Sequence, residues 1–508
     1  MNKQEAGVNY QKHLETIRKI NDQFRYNKTL ESMFELDQWS ALPVEGGVYR
    51  QQVAAYVGMQ KAGLFDSADA KTAAEYFSGV NVSEIEDYIE RGLVRSFLLR
   101  YNNQTKTPKD LMRQYSMIRA ETMNKWKEAR EKQDFEVFRP WLEQVFDLKK
   151  QIALAINPEK PAFETLVNIN DEGTTCEEIS REFDVLKAGL TNLRTRLEKS
   201  EIKPDASIFN IQVDPIRIEN FSRRLARESG YQESRGGFNN QVVHAFSSFM
   251  GPRDGRVSTP QNGSLNMIFT YLHEAGHAMY ASGGNDLVNA ANMWGGIEGS
   301  FQESMARFNE NMVGRNKAYW EFYYPQLQKE FPEFANISLD DFYLSMNQVR
   351  PSLRRITADE VTYGLHVILR YELERDCFGG KLEVGDLAKA WDDLSEKYLG
   401  MRPENDTEGV LQDMHWAGDY IGYFQSYALG NLYCGQIREA ILRDLPEFDA
   451  NLCRGDFVQL NQWLDENVRQ YGCCFTAGEM AKRITGKSLD AKPFLKYLED
   501  KYCSIYKV

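Results

Sequence analysis

Histidine and proline are both scarce in this sequence, with six histidines and 15 prolines among 508 residues. Scarce proline favours long uninterrupted helices, because proline lacks a backbone donor and clashes with the preceding helical turn. The seven cysteines are odd in number and irregularly spaced, and the adjacent pair Cys473–Cys474 lacks Cys-x-x-Cys spacing. This pattern argues against a disulfide framework and predicts reduced thiols in a cytoplasmic protein.

Long hydrophobic runs and an excess of positive charge are also missing. No stretch approaches the ~18 apolar residues that a membrane helix needs, and the polar start MNKQEAGVNYQKH has no apolar signal-peptide core. The net charge is −13, so the basic surface that binds nucleic acid is not expected. An acidic surface would also be repelled by anionic membranes. We therefore expect a soluble protein with neither nucleic-acid nor membrane partners.

Helical hydrophobic patterns recur from one end of the chain to the other. Strand-like alternation is rare, and the best candidate is residues 240–249, followed by turn residues and a second short run at 256–259. The sequence thus predicts a mainly α fold with a minor β hairpin. Because no linker is visible, we expect one catalytic domain over residues 1–508, either as one body or as two lobes.

Two of the six histidines stand four residues apart in YLHEAGHAMY, residues 271–280. Composition alone gives an expectation of about 0.01 for a His-Glu-x-x-His in this chain, so accident is a poor explanation. On a helix, His273 and His277 lie on one face and can both reach one Zn²⁺ at ~2.0–2.1 Å. Glu274 follows about 100° round the helix, where it can hold a water beside the metal.

A catalytic zinc takes a third protein ligand, which we expect from the helical segment 298–314. Glu303 and Glu310 are candidates within this helix, and Glu298 lies in the preceding turn. Glu303 also has a structural interpretation, because Ser300 and Glu303 have the spacing of a capping box. Spacing alone leaves both interpretations of Glu303 open.

The order of these motifs resembles the carboxypeptidase Taq family of zinc metallocarboxypeptidases. The resemblance covers nearly the whole chain. The further segments that carry it are LDQWSALP (36–43), WKEAREKQDFEVFRPWLE (126–143), HAF (244–246), DGRVS (254–258), QES (302–304), RITAD (355–359), GVLQDMHW (409–416) and GYFQSYALGNLY (422–433). It implies a large helical metallopeptidase fold with a deep groove, a homodimer, and Glu303 as the third metal ligand.

The sequence departs from the family pattern at several motif positions, as expected of a diverged member. Gln302 stands where the family has His, Ala245 where it has Pro, and Ser258 where it has Thr; Arg354 and Gln425 replace an Ile or Leu and a Pro. Gln302 can hydrogen-bond as a histidine can, but it does not titrate near neutrality. The three expected ligands and the glutamate base are all retained.

Peptide hydrolysis also needs a base and donors for a developing oxyanion. Glu274 is the expected general base. His415, Tyr423 and Tyr427 are the expected oxyanion donors, from a segment that resembles the donor segment of related peptidases. Each tyrosine, taken alone, could equally belong to the aromatic core.

An exopeptidase must hold a free C-terminal carboxylate, for which the bidentate guanidinium is suited. The RITAD match indicates Arg355, with Arg350 and Arg354 as close rivals. His244 and Arg256 are expected to close the substrate groove.

The predicted function is a Zn²⁺-dependent carboxypeptidase acting on peptides, with another divalent ion such as Co²⁺ as an alternative cofactor. A metallo-oligopeptidase that cuts internal bonds is the second hypothesis. A catalytically silent metal-binding scaffold is the third, and Glu274 argues against it because metal binding alone does not need that residue.

Overall fold

A computed structural model describes residues 3–508; the first two residues of the polar start lie outside it. Of the described residues, α1 to α11 are Lys3–Ser40, Gly47–Gly63, Ala68–Ser78, Tyr88–Thr105, Lys109–Lys132, Arg139–Ile156, Ala162–Asn170, Cys176–Glu198, Ala206–Phe209, Pro215–Glu228 and Asn266–Ala281. Helices α12 to α22 are Asp286–Ala290, Ser300–Arg307, Lys317–Glu330, Leu339–Met346, Tyr363–Phe378, Leu387–Leu399, Phe424–Asp444, Phe448–Leu452, Val458–Asn467, Ala477–Thr485 and Lys492–Tyr506. In this part of the chain, no helix combines the length and apolarity needed to cross a membrane.

The only sheet in residues 3–508 has three short strands, in the order β1-β3-β2. They are β1 (Phe238–Asn239), β2 (Phe246–Gly251) and β3 (Asp254–Ser258), and β2 and β3 form an antiparallel hairpin. The mainly α prediction and its minor hairpin are therefore confirmed.

The first hairpin strand begins at residue 246 rather than at 240 as predicted, and β1 was not predicted. The cause is local turn chemistry: the side-chain Oδ1 of Asn239 accepts a hydrogen bond from the backbone N–H of Gln241, at 3.0 Å. Such a turn diverts the backbone from the ladder and leaves Val243 three-quarters exposed.

One continuous apolar core extends from Leu14 to Tyr506. Its centre is the helix α11, which packs between the sheet and α13. A glycine permits the close approach of α13, because a Cβ at Gly276 would lie 2.8 Å from the Cα of Ala306. Helix α18 crosses α13 in the same way, since a Cβ at Gly430 would lie 2.8 Å from Cγ of Glu303.

Candidate metal centre and active site

Helix α11 presents both histidines of the HEAGH segment on one face. It starts just after Ser264, whose Oγ accepts the backbone N–H of Asn266 at 3.2 Å, and it ends two residues before Gly283, close to the predicted bounds. The imidazole rings of His273 and His277 have centroids 4.9 Å apart and planes at 84°. One helical turn therefore brings the two rings side by side, as the i, i+4 spacing predicts.

The carboxylate of Glu303 joins these two imidazoles. Glu303 Oε2 lies 3.8 Å from His277 Nε2, and one donor atom from each of His273, His277 and Glu303 lies within 4.8 Å of the others. Two ligand atoms at ~2.0–2.1 Å from one ion and at tetrahedral angles are about 3.4 Å apart, so a small contraction suffices. The three side chains fit one divalent cation.

The capping-box interpretation of Glu303 is wrong. Helix α13 takes Gly299 as its N-cap, at φ 68°, a left-handed conformation suited to glycine, and Glu303 N donates to Gly299 O at 3.2 Å. The hydroxyl of Ser300 has no hydrogen-bond partner among the described residues. The Glu303 side chain is consequently free of the helix terminus.

Each imidazole is oriented through its Nδ1. His273 Nδ1–H donates to Glu310 Oε2 at 3.0 Å, and His277 Nδ1–H donates to the amide Oε1 of Gln302 at 3.3 Å. Because both Nδ1 atoms are engaged, both Nε2 atoms are left for a metal. Glu310 follows α13 in a π-helical segment, Phe308–Gly314, which winds more widely than an α-helix.

Arg307 bridges the two glutamates of this segment. Its Nε donates to Glu303 Oε1 at 2.8 Å and its Nη1 donates to Glu310 Oε2 at 3.2 Å. Burial raises the pKa of Glu303, but Arg307 and the two histidines outweigh burial, so that the pKa is lowered. Arg307 therefore keeps Glu303 ionised and leaves Oε2 for the metal.

The two histidines differ in their titration. Burial and the neighbouring His273 lower the pKa of His277, which favours the neutral imidazole that a metal needs. Burial also lowers the pKa of His273, but Glu310 and Glu303 outweigh it and raise that pKa. A cation bound at this site would take the place of the proton on His273.

Glu274 lies on the side of α11 that faces the hairpin. The side chain of Ser247, in β2, donates to Glu274 Oε2 at 2.7 Å and lies 2.8 Å from the backbone oxygen of Glu274. The carboxylate is 8% exposed, and the serine fixes the orientation of one of its oxygens. Ser247 lies three residues after His244 of the HAF match. The alternation of side chains along the predicted strand was the sequence signal that could have placed Ser247 against α11.

His415, Tyr423 and Tyr427 form one aromatic group at the start of α18. His415 Nε2 lies 3.2 Å from the hydroxyl of Tyr427, and the rings of Tyr423 and Tyr427 are 5.2 Å apart. Burial lowers the pKa of His415 to about 3 and raises the pKa values of both tyrosines. At neutral pH the imidazole is thus neutral and both phenols keep their protons.

Arg355 is buried beside this group and is paired with Asp413. Its Nε and Nη2 donate to Asp413 Oδ1 at 3.2 and 2.9 Å, and its Nη1 donates to the hydroxyl of Tyr363 at 3.4 Å. Its guanidinium lies 4.9 Å from the centre of the Tyr427 ring. The other oxygen of Asp413 accepts Nε of Arg370 at 2.5 Å, so one carboxylate holds two arginines.

The rival arginines are placed differently. Arg350 and Arg354 are exposed and line a cavity of about 480 Å³ together with Asp359 and Glu408, to which Arg355 does not contribute. Neither guanidinium forms an ion pair within residues 3–508.

His244 and Arg256 make their contacts around the hairpin rather than with the three metal-binding candidates. The exposed His244 packs edge-on against Trp39 of α1, with ring centroids 4.7 Å apart. Arg256 donates from Nε and Nη2 to the two carboxylate oxygens of Asp254, both at 2.9 Å. The contact of His244 with Trp39 thereby joins α1 to the start of β2, the strand that carries Ser247.

Sequence reasoning missed the residues that orient the predicted ones. Arg307, Ser247 and Asp413 fall in this class, and Glu310 was considered only as a ligand. Arg307 lies four residues after Glu303 and three before Glu310, an ion-pair spacing that could have identified it. Asp413 belongs to the GVLQDMHW match, but the sequence did not indicate that it pairs with Arg355 and Arg370.

Comparisons with known proteins identify the family of this chain. Residues 16–502 match the family described as carboxypeptidase Taq (M32) metallopeptidase. Carboxypeptidase 1 of Bacillus subtilis is 35% identical over 409 residues, 80% of this chain and 81% of that protein. Thermostable carboxypeptidase 1 of Thermus thermophilus is 32% identical over 501 residues, 95% of this chain and 96% of that protein.

A solved structure has the same fold over the whole chain. The M32 carboxypeptidase from Deinococcus radiodurans R1 superposes with a TM-score of 0.91 at 31% identity, over 99% of this chain and 100% of that one. This chain therefore belongs to the carboxypeptidase Taq (M32) family of metallopeptidases and is a metal-dependent carboxypeptidase.

Proposed function

We propose that the divalent metal is Zn²⁺, with Co²⁺ as an alternative, and that His273, His277 and Glu303 hold it. The observation that carries this proposal is the meeting of three donor atoms within 4.8 Å of one another, with both Nδ1 atoms already engaged elsewhere. Two imidazoles and one carboxylate are a known donor set of catalytic zinc. Metal analysis of the purified protein by mass spectrometry tests the identity of the ion.

The bound cation supplies a Lewis acid that lowers the pKa of a water molecule and polarises the scissile carbonyl. Glu274 takes the proton from the attacking water and delivers it to the leaving amine. Ser247 holds Glu274 Oε2 by its hydrogen bond and so orients the carboxylate for this proton transfer.

Tyr427, Tyr423 and His415 are proposed as donors to the developing oxyanion. Close packing at Gly430 brings α18 against Glu303. The aromatic group therefore stands at the start of the helix that packs against the proposed ligand. Because the tyrosines stay protonated, each offers an O–H donor. The neutral His415 supports Tyr427 through the 3.2 Å contact.

Arg355 is proposed to hold the C-terminal carboxylate of the peptide. Among the three arginines considered, it is the one whose guanidinium contacts the aromatic group. It also donates a hydrogen bond to the hydroxyl of Tyr363. The ring of Tyr363 lies 4.8 Å from the guanidinium of Arg307, which in turn contacts Glu303. Asp413 fixes the guanidinium, so its orientation is set before the substrate binds. We further propose that His244 and Arg256 close the groove.

Glu303 and Glu310 make a matched pair for testing the ligand set. Glu303→Gln is expected to abolish stoichiometric metal binding, because an amide oxygen is a poor substitute for the ligand carboxylate. Glu310→Gln is expected to weaken metal binding by ~10–100-fold, as for residues that orient a ligand. Competition with a chelator and elemental analysis measure both, and wild-type affinity in Glu303→Gln with loss in Glu310→Gln would exchange their roles.

Gln302→His is expected to keep full metal occupancy and kcat/KM within about threefold of the wild type. The amide accepts from His277 Nδ1–H and donates from Nε2 to Gly295 O at 3.0 Å, and the two nitrogens of a neutral imidazole can do both. Gln302→Leu is the control, because it can do neither and should lose ~10–100-fold in metal affinity. A folded Gln302→His protein without activity would show that the site needs the amide.

We also propose a single catalytic domain, a homodimer and a cytoplasmic location. The one continuous core and the family match over residues 16–502 support the single domain. The family resemblance supports the homodimer, and light scattering of the purified protein tests it. All seven cysteines are free thiols, which is typical of a reducing compartment.

A further inference from the structure

Two arginines on the N-terminal helices share a cavity away from the metal ligands. Arg25 belongs to α1 and is 4% exposed, and Arg100 belongs to α4. Both line a cavity of about 270 Å³. Among residues 3–508 neither guanidinium has a carboxylate within 4.0 Å, although buried charges are normally paired.

The hydrogen-bond acceptors that these guanidiniums contact are a cysteine sulfur and an amide oxygen. Arg25 donates from Nη2 to Cys473 Sγ at 2.9 Å, and its Nε has no partner. Arg100 donates from Nη1 to Asn21 Oδ1 at 3.4 Å. Aromatic rings lie near both cations, since Trp294 is 5.1 Å from Arg25 and Phe24 is 4.2 Å from Arg100.

The acidic residues around the cavity are occupied elsewhere. Glu298 pairs with Lys28, and Glu172 lies nearest to Arg95, at 3.6 Å. Asp171 accepts hydrogen bonds from the backbone N–H of Ser300 and the side chains of Gln425 and Ser426. Glu298 and Glu172 therefore attract Arg100 only from beyond contact distance, and neither guanidinium has a carboxylate in contact with it.

Cys473 lies between Arg25 and a backbone carbonyl group. Its sulfur lies 3.3 Å from the backbone oxygen of Met293 and is placed to donate S–H to it. Burial and the nearby Arg25 lower the pKa of Arg100 to about 10, because together they outweigh the attraction of Glu298 and Glu172.

We propose that Arg25 and Arg100 bind one small inorganic anion, such as chloride or phosphate, in this cavity. The unpartnered Nε of the buried Arg25 supplies a donor that nothing else in the described chain satisfies. The anion would replace like-charge repulsion by two charge-assisted contacts.

The position of the cavity links this anion site to the metal centre. Gly296, Ile297 and Glu298 also line the cavity, and Gly299 caps the helix that carries Glu303. Gly295 O accepts the amide of Gln302, which orients His277. A bound anion would therefore stabilise the turn that leads into the third-ligand helix.

Thermal unfolding of the metal-loaded protein tests the site without using its activity. Sodium chloride or sodium phosphate is titrated against sodium gluconate at equal ionic strength, so that general screening cancels. A saturable rise in Tm of about 2–4 °C is expected with chloride or phosphate. The ratio of the two apparent Kd values identifies the preferred charge of the anion.

Arg100→Gln should change the Tm in gluconate and the response of the Tm to chloride or phosphate in opposite directions. In gluconate its Tm should exceed that of the wild type, because the repulsion between Arg25 and Arg100 is removed, and its anion-dependent rise should disappear. Arg18→Gln is the control: it removes the same charge from α1, where Arg18 forms an exposed pair with Glu90, and it should keep the rise. Arg25→Gln is a second variant for the same loss.

The proposal is overturned if neither salt raises the wild-type Tm above gluconate. It is equally overturned if Arg100→Gln and Arg25→Gln keep the full rise. Neither result depends on which residues bind the metal or on the peptidase reaction.

Discussion

Glu274→Gln is expected to keep its fold and its metal while kcat falls by ~10²–10⁴, the usual contribution of a general base. The amide has the same shape as the carboxylate, and its oxygen can still accept the Ser247 hydroxyl that now donates to Oε2 at 2.7 Å. What it cannot do is accept a proton from water. The loss should therefore appear in kcat and in kcat/KM alike.

The measurement is steady-state hydrolysis of a short N-blocked peptide by protein with confirmed metal content and wild-type Tm. Ser247→Ala is the matched control, because it removes the orienting hydrogen bond but leaves the base. Its loss should be smaller than that of Glu274→Gln. Near-normal hydrolysis by metal-loaded Glu274→Gln would reject Glu274 as the base.

A peptide amide is expected to be hydrolysed at least ~100-fold less efficiently than the same peptide with a free C-terminus, which corresponds to ~2.7 kcal/mol. The reason is the guanidinium of Arg355, which would face a neutral group instead of a carboxylate in a site with little water. Charge-assisted pairs of this kind are stronger than ordinary hydrogen bonds, which contribute ~0.5–1.5 kcal/mol.

Arg355→Ala should lose activity on the free acid and show much less preference between acid and amide. Because Arg355 is buried against Asp413, its Tm and metal content must be measured alongside activity. The exposed Arg350→Ala and Arg354→Ala are the controls and should keep the preference. If one of them loses the preference instead, the carboxylate is held in the cavity that Arg350 and Arg354 line.

Mass spectrometry of the products distinguishes the reaction classes. A carboxypeptidase releases the last residue of the acid and scarcely cleaves the amide. Equal cleavage of both peptides at an internal bond would favour the oligopeptidase hypothesis. This result would leave the metal ligands and Glu274 unaffected, since both reactions need them.

The local features of this protein could be predicted from its sequence. Helical periodicity depends on residues that are close in the sequence. The i, i+4 spacing of His273 and His277 was therefore sufficient to place both rings on one face. The hairpin before α11 was predictable from alternation and turn residues, although its first strand started six residues late because a side chain at Asn239 formed a local turn.

Glu303, the expected third ligand, shows what local sequence patterns could not decide. The spacing of Ser300 and Glu303 fitted a cap as well as a metal ligand, and the family resemblance favoured the ligand. In the fold, Gly299 takes the cap, and close packing at Gly276 brings α13 against α11. Whether a glutamate caps its own helix or reaches another depends on that interhelical approach, which no local pattern encodes.

The sequence by itself therefore determined the fold class and the pairing of His273 with His277 on one face, because these follow from composition and short spacings. The short spacing also predicted Glu274 as the base, and the resemblance to the family supplied most of the other candidate residues. Only the tertiary structure decided which groups orient them: Glu310 for His273, Ser247 for Glu274, and Asp413 for Arg355 and Arg370. It also brought Arg25 and Arg100 to one cavity without a carboxylate in contact with either guanidinium. The partners in these contacts lie between 27 and 75 residues apart in the chain, and their meeting is set by how the helices and the hairpin pack.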